Sequence, residues 1–343
     1  MDKLVRTNFA VVGLAAWAGL FACTVAAAQP QQSPLGSPAD TNGKFSANYS
    51  EIVRAALPPV DAAALAKLMK DVRTAAAAEK PLQINDVGQL EKFFSIKPRA
   101  LKGTIELTDA GDDSYSFNPV TRRIYLAHKH GETKPVAREE FRPQLAAIRA
   151  AHAALAEKIG LPKEQIYFTD VREVLAQASA HPRQGGAQGP IQSEGAVTTM
   201  LRAVGGLLVD GSYFRAISKD ADRLELLDLR WPRLKLATNV VDSRLRAPRD
   251  VAPSVIKRVT TNSKQLPVSV RMAVVLRPIT TANEVTYVPA VRVGVQPQSL
   301  RVGDGFRTDA GEVFHIDLVT GSAEFADADA KDAAQSTPVP GQP

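Results

Sequence analysis

The stretch Arg142–Ile159, RPQLAAIRAAHAALAEKI, followed by Gly160-Leu161-Pro162 and the β-rich run Gln165–Val174, decides the fold class. Leu145, Ile148, His152, Leu155 and Ile159 recur at spacings of three and four, which puts them on one face of a helix. Pro143 suits the first turn, and Gly160 with Pro162 ends the element. A helix of this kind, followed by strands rather than alternating with them one by one, predicts an α+β fold. One face of a curved, mostly antiparallel sheet would then be covered by the helix.

Reading outward, Ala196–Val209 (AVTTMLRAVGGLLV), Ser212–Ser218 (SYFRAIS) and Arg223–Leu229 (RLELLDL) continue the strand pattern. Val209-Asp210-Gly211-Ser212 has turn composition, and Lys219-Asp220 joins the last two strands. A second helix-plus-meander unit follows. Pro253–Thr261 is its short helix, and Val268–Leu276, Glu284–Val295 and Glu312–Leu318 are its strands, with turns at Gly303-Asp304-Gly305 and Asp309-Ala310-Gly311. Toward the N-terminus, Asp61–Ala78 reads as an Ala-rich helix, with Leu101–Leu107, Tyr115–Phe117 and Arg123–Ala127 as a small meander.

The ends have other compositions. Lys3 and Arg6 precede an uncharged run, Phe9–Ala22, which gives way to Thr24-Val25-Ala26-Ala27-Ala28. That is the layout of a secretory leader, cleaved after Ala28, and the apolar run falls short of the ~20 residues of a membrane span. Leu20-Phe21-Ala22-Cys23 also resembles the lipobox of bacterial lipoproteins, with Phe21 where that family has a small residue. Lipid on Cys23 would anchor the chain to a membrane. Residues 29–48 (Pro-, Gln- and Ser-rich) read as a disordered linker and 324–343 as a disordered tail. The expected organisation is thus a leader (1–28), the linker, an N-terminal α+β region (49–135), a central domain (136–247), a C-terminal domain (248–323) and the tail. The expected location is the periplasm or the cell exterior.

Cys23 is the sole cysteine. Once the leader is removed, disulfides, Cys-ligated zinc and thiol nucleophiles are excluded. Loss of Asp2, Lys3 and Arg6 takes the net charge from +6 to +5. A mild, dispersed excess favours anionic envelope partners and argues against nucleic acid.

Arg202–Ile217 (RAVGGLLVDGSYFRAI), with the charged turn and Leu224-Glu225-Leu226 after it, resembles the export-associated modules of the PepSY and FTP kind. Asn118-Pro119-Val120-Thr121-Arg122-Arg123-Ile124 is similar to their D-P-x-T-G-x-I hairpin, with Asn118 for the aspartate and Arg122 for the glycine. The resemblance covers about a third of the chain. It implies cystatin-like helix-on-sheet units and a non-catalytic module that inhibits, chaperones or docks onto a secreted hydrolase. It transfers no active-site residues.

Side chains with chemical potential are few. On a strand, His128 and His130 would share a side and begin a metal site with Glu132, but Lys129 and Lys134 oppose a cation there. A solvated strand end is the preferred reading. His152 sits on an apolar stripe and reads as a hydrogen-bonded core histidine. His315 alternates with Asp317 in a strand and would make a base pair with it. No nucleophile elbow, His-Glu-x-x-His helix or phosphate loop is present, and Gly205-Gly206 reads as a turn or bulge. Arg230-Trp231-Pro232-Arg233 would grip an anionic sugar or a peptide carboxylate, and Arg244 and Arg246 extend its positive character. Against this, Trp231 would instead fill the core, the environment usual for a lone tryptophan.

The sequence therefore predicts an exported, cofactor-free, non-enzymatic module that docks a secreted or envelope protein or peptide at a sheet edge. An alternative is an envelope-associated structural protein holding anionic polymer through Arg230–Arg258. A further alternative is a metal-dependent enzyme using His128 and His130.

Overall fold

A computed structural model describes residues 48–96, 108–109, 113–128, 135–177, 190–262, 268–297, 300–302, 305–307 and 311–323. The leader, Cys23, residues 29–47 of the linker, Leu101–Leu107, His130 and the tail lie outside the described residues. No described helix is long and apolar enough to cross a membrane.

In chain order the elements are α1 (Tyr49–Ala56), α2 (Ala62–Ala78), α3 (Val87–Phe94), β1 (Thr108–Asp109), β2 (Asp113–Asn118) and β3 (Arg123–His128). Next come β4 (Val136–Ala137), α4 (Arg138–Phe141), α5 (Leu145–Ile159), β5 (Ile166–Gln177), β6 (Ile191–Val204), β7 (Leu207–Ser218) and β8 (Leu224–Arg230). The chain continues with α6 (Ala252–Asn262), β9 (Val268–Thr280), β10 (Val285–Pro297), β11 (Leu300–Val302), β12 (Gly305–Arg307) and β13 (Glu312–Asp317). Helices and a mixed, mostly antiparallel sheet make the fold α+β.

The sheet runs β1-β2-β3-β8-β7-β9-β10-β13, with β6 also on β7, and β4 and β5 on β6. Strands from all three expected regions join in it. By contacts the chain divides into two compact units, each assembled from several segments. The larger holds the described residues of 58–254, 273–292 and 314–323; the smaller holds the described residues of 48–57, 255–272 and 293–313.

In the larger unit the helices start where side chains accept the free backbone N–H groups. Asp61 accepts from Ala64 N and Asp86 from Gln89 N, each at 2.7 Å. A 3-10 turn at Arg142–Gln144 carries Pro143 into α5, which ends at Gly160 in the left-handed region. The buried side of α5 is Ile148, His152, Ala156 and Ile159. Ala156 and Ile159 pack with Leu90, Tyr115, Ile124, Met200, Phe214, Leu229 and Trp231 in the main core.

The β2–β3 hairpin turns where Asn118 accepts from Val120 N and Thr121 N at 3.0 Å, and Arg122 takes φ +47°. Arg122 therefore has the left-handed backbone usual for glycine. The turn expected at Val209–Ser212 is elsewhere. β7 runs straight through those residues, and the reversal falls at Gly205-Gly206. Gly205 has φ +57°, and a Cβ there would stand 3.0 Å from Val72 N and 3.1 Å from Leu68 O, so the hairpin tip lies directly on α2. Gly211, at φ +68°, marks a change of neighbour instead. Before it, Leu208 and Val209 pair in parallel with Val275 and Leu276 of β9; after it, Tyr213–Ser218 pair with β8.

In the smaller unit, Tyr49, Ile52 and Val53 of α1, Val255 and Val259 of α6, and Val268, Val270, Val293 and Val295 are buried. Arg258 and Glu312 form an ion pair at 2.7 Å within it.

Candidate functional site

Strand alternation gives the five strands β3, β8, β7, β6 and β5 two faces with different chemistry. On the helix-covered face, Ile124, Leu229, Phe214 and Met200 line up across the sheet and are buried. On the opposite face the paired rows are Arg123-Arg230-Tyr213-Leu201-Phe168 and Tyr125-Asp228-Arg215-Thr199-Asp170. A third row, Ala127-Leu226-Ile217-Val197-Arg172, lies alongside.

The centre of this open face is a carboxylate clamp. Arg123 donates to both oxygens of Asp228, Nε to Oδ1 at 2.9 Å and Nη2 to Oδ2 at 3.1 Å. Tyr213 donates its hydroxyl to Asp228 Oδ2 at 2.9 Å. Burial, with the Asp228 charge beside it, pushes the Tyr213 hydroxyl up to about 12, so it remains a donor at any ordinary pH. The hydrogen bond to Asp228 raises Arg123. Arg230 stands beside this clamp with its guanidinium over Gly211. Its Nε is buried without a hydrogen-bond partner among the described residues.

Arg230 and Trp231 do not form a joint grip. The chain leaves β8 after Arg230, and Trp231 is fully buried in the helix-side core. Its ring lies 5.0 Å from the Arg202 guanidinium carbon, and its Nε1 has no partner among the described residues. Arg202 is itself enclosed. It donates Nε to Gln165 Oε1 at 2.8 Å, Nη1 to the Pro232 carbonyl at 2.6 Å and Nη2 to Glu79 Oε1 at 2.9 Å. Glu79 Oε2 accepts from Leu234 N at 2.7 Å. Burial pulls the Arg202 pKa down while Glu79 opposes this, and the group acts as an internal latch between α2, β6 and the segment after β8. Arg233, Arg244 and Arg246 are exposed.

His152 Nδ1 lies 2.6 Å from Thr198 Oγ1, and its Nε2 lies 2.8 Å from Ser218 Oγ. All three residues are buried, and burial holds the imidazole down to about 4. His315 does not pair with Asp317. The Asp317 carboxylate is taken by Val319 N and Thr320 N, at 2.6 and 3.0 Å, in the turn that follows β13. His315 Nε2 instead lies 2.7 Å from Asp210 Oδ2, and Arg292 reaches Asp210 Oδ1 at 3.1 Å. Burial works to raise the Asp210 pKa, but His315 and Arg292 together hold it below the ordinary carboxylate value. His128 ends β3 opposite Asp113, while its expected companion His130 lies outside the described residues. Among the described residues no cluster of three or more metal-ligating side chains occurs.

The sequence reading overlooked Arg123, Tyr213, Arg215 and Asp228. Alternation in SYFRAIS and RLELLDL puts Tyr213, Arg215 and Asp228 on the side away from Phe214 and Leu229, but only the pairing register brings them beside Arg123. No family model matches this chain, and no curated protein does. A crystal structure of an uncharacterized protein from Eubacterium rectale aligns over 77% of this chain and 82% of that one, at 10% identity and a TM-score of 0.38. A likeness at that level carries no argument about fold or function.

Proposed function

We propose that the chain is an exported, non-enzymatic binding module that docks a protein or peptide partner along the outer edge of β5. The observation that supports this is the edge itself. β5 extends over twelve residues and, among the described residues, pairs only with β6. Its other side leaves main-chain donors and acceptors for an added strand. Tyr167 and Leu175 on β5 are 42% and 48% exposed, offering apolar contacts to such a strand. The resemblance of Arg202–Ile217 to the export-associated PepSY and FTP modules supports the same reading, and it implies a secreted hydrolase as the partner.

The test is a photo-crosslinking residue at Tyr167, compared with one at the exposed Ala153 of α5, in envelope and secretome extract. The expected result is one protein crosslinked from Tyr167 and not from Ala153, and lost on Leu175→Pro. Crosslinking from Ala153 alone, or turnover of a peptide or ester by the purified chain, overturns the proposal. A second reading, attachment to anionic envelope polymer, is favoured by the exposed Arg233, Arg244, Arg246 and Arg249. It predicts binding abolished by moderate salt.

A further inference from the structure

We propose that the open face of β3, β8, β7, β6 and β5 binds an acidic peptide segment, with Arg215 and Arg230 receiving its carboxylates. The proposal rests on the chain being a binding module. It adds the partner's chemistry and a contact face separate from the β5 edge.

The charges on the face carry the argument. The rows hold Arg123, Arg172, Arg215 and Arg230 against Asp170 and Asp228. Both carboxylates are already engaged: Asp228 by Arg123 and Tyr213, and Asp170 by Arg172. Arg215 and Arg230 are left with no carboxylate of their own. Neither guanidinium makes a hydrogen bond or ion pair among the described residues, although both are half-buried and the Arg230 Nε is fully so. A buried donor without an acceptor is costly, and a guanidinium is suited to a carboxylate in a bidentate geometry.

The register makes the arrangement more pointed. Arg123 and Arg230 are direct cross-strand partners, and like charges in that position oppose each other. Asp228 relieves Arg123 and leaves Arg230 uncompensated. An anion over Tyr213 would lie between the Arg230 guanidinium, which stands over Gly211, and Arg215, each two residues from Tyr213 along β7.

The remainder of the face selects a peptide over an inorganic or carbohydrate polyanion. Leu201, Phe168, Leu226, Ile217 and Val197 flank the arginines, half-buried, with Tyr125 and Tyr213 between them. Apolar flanks gain nothing from polyphosphate, but they receive the apolar side chains of an extended chain in which glutamate and leucine share one face, at every second position. Five strands about 4.8 Å apart span about 19 Å, the reach of roughly six extended residues.

The experiment titrates the purified chain with a fluorescent Glu/Leu peptide of about eight residues, Ser-Glu-Ser-Leu repeated, which puts Glu and Leu on one face of an extended chain. Comparison ligands are the Gln/Leu peptide of the same length and inorganic tripolyphosphate. The expected result is saturable binding of the Glu/Leu peptide, at least about tenfold tighter than of the Gln/Leu peptide. Arg215→Gln with Arg230→Gln should weaken it at least about tenfold, while Leu175→Pro leaves it unchanged. Arg215→Glu with Arg230→Glu should lose the Glu/Leu peptide and gain a Lys/Leu peptide, which a misfolded protein would not do. Equal binding of both peptides, equal binding by the glutamine variant, or tripolyphosphate binding in place of the Glu/Leu peptide overturns the proposal. Loss on Leu175→Pro alone would instead place the peptide on the β5 edge and overturn the face as its site.

Discussion

Acidification from pH 7 to pH 5 should cost this protein about 2 kcal/mol of stability through His152 alone. The ring is 2% exposed, between Thr198 and Ser218, with no acidic partner within hydrogen-bond reach among the described residues. Burial lowers its pKa from 6.5 to about 4. The unfolded chain therefore binds a proton across a range in which the native chain does not. That difference in proton uptake makes stability fall as pH drops from about 6.5 toward 4, and the contribution is present in full only above that window. At pH 5 the unfolded imidazole is almost wholly protonated and the native one hardly at all, which gives the stated magnitude. The assay is urea denaturation at pH 7 and pH 5 for the wild type and for His152→Gln, which keeps a polar side chain and does not titrate. The wild type should lose about 2 kcal/mol more than the variant over that interval, whatever the variant's stability at pH 7. Parallel losses in the two proteins, or a His152 ring titrating above pH 6 by NMR, would refute the reasoning.

Glu79→Ala leaves the Arg202 charge buried without its partner and should cost about 3–5 kcal/mol in denaturant melts. A loss under 1 kcal/mol would show that the latch does not hold α2 to the sheet. Gly205→Val forces a branched side chain onto a left-handed backbone and against the α2 main chain. It should cost at least about 2 kcal/mol, read as a lowered Tm, while Gly88→Ala in α3, where a Cβ meets only the Asp86 carboxylate, should not. Arg230→Met removes a half-buried guanidinium that has no acceptor, together with the repulsion from Arg123. It should leave stability unchanged or raise it by about 1 kcal/mol, with Glu/Leu peptide binding lost; a marked fall in stability would mean that the guanidinium serves the fold.

The elements that repeat most regularly were the most legible. The stripe in Arg142–Ile159 maps onto α5, with His152 on its buried side. The alternating runs after Gln165 and Ser212 map onto β5 and β7. Short elements escaped. α1 and α3 are eight residues each, too short to show two turns of periodicity above the background of an alanine-rich chain. The Val209–Ser212 segment shows why composition misplaces a turn. Asp-Gly supplies a left-handed backbone, which a reversal and a bulge both require, so the residues alone do not choose between them. The choice falls to Gly205-Gly206, whose tip must fit under α2, a contact made with residues more than a hundred positions away.

The candidate site was less legible for a related reason. Alternation states which face a residue occupies but not what stands opposite it. Arg123, Tyr213 and Asp228 are far apart in sequence, and a shift of one residue in the β3–β8 pairing would send Arg123 to a different neighbour. The sequence groups Arg230 with Trp231 and Arg233 because they are adjacent in the chain, but β8 ends at Arg230, Trp231 turns into the core and Arg233 is exposed. Of that group Arg230 alone faces the clamp, next to Arg215, which lies two residues along β7 from Tyr213. The same alternation explains why the sheet has one closed and one open side. Each buried residue of the core rows has a neighbour in its own strand that the helices cannot cover. Where such a neighbour is an arginine with no carboxylate among the described residues, as at Arg230, the fold gains nothing from its charge, and an arriving anion would.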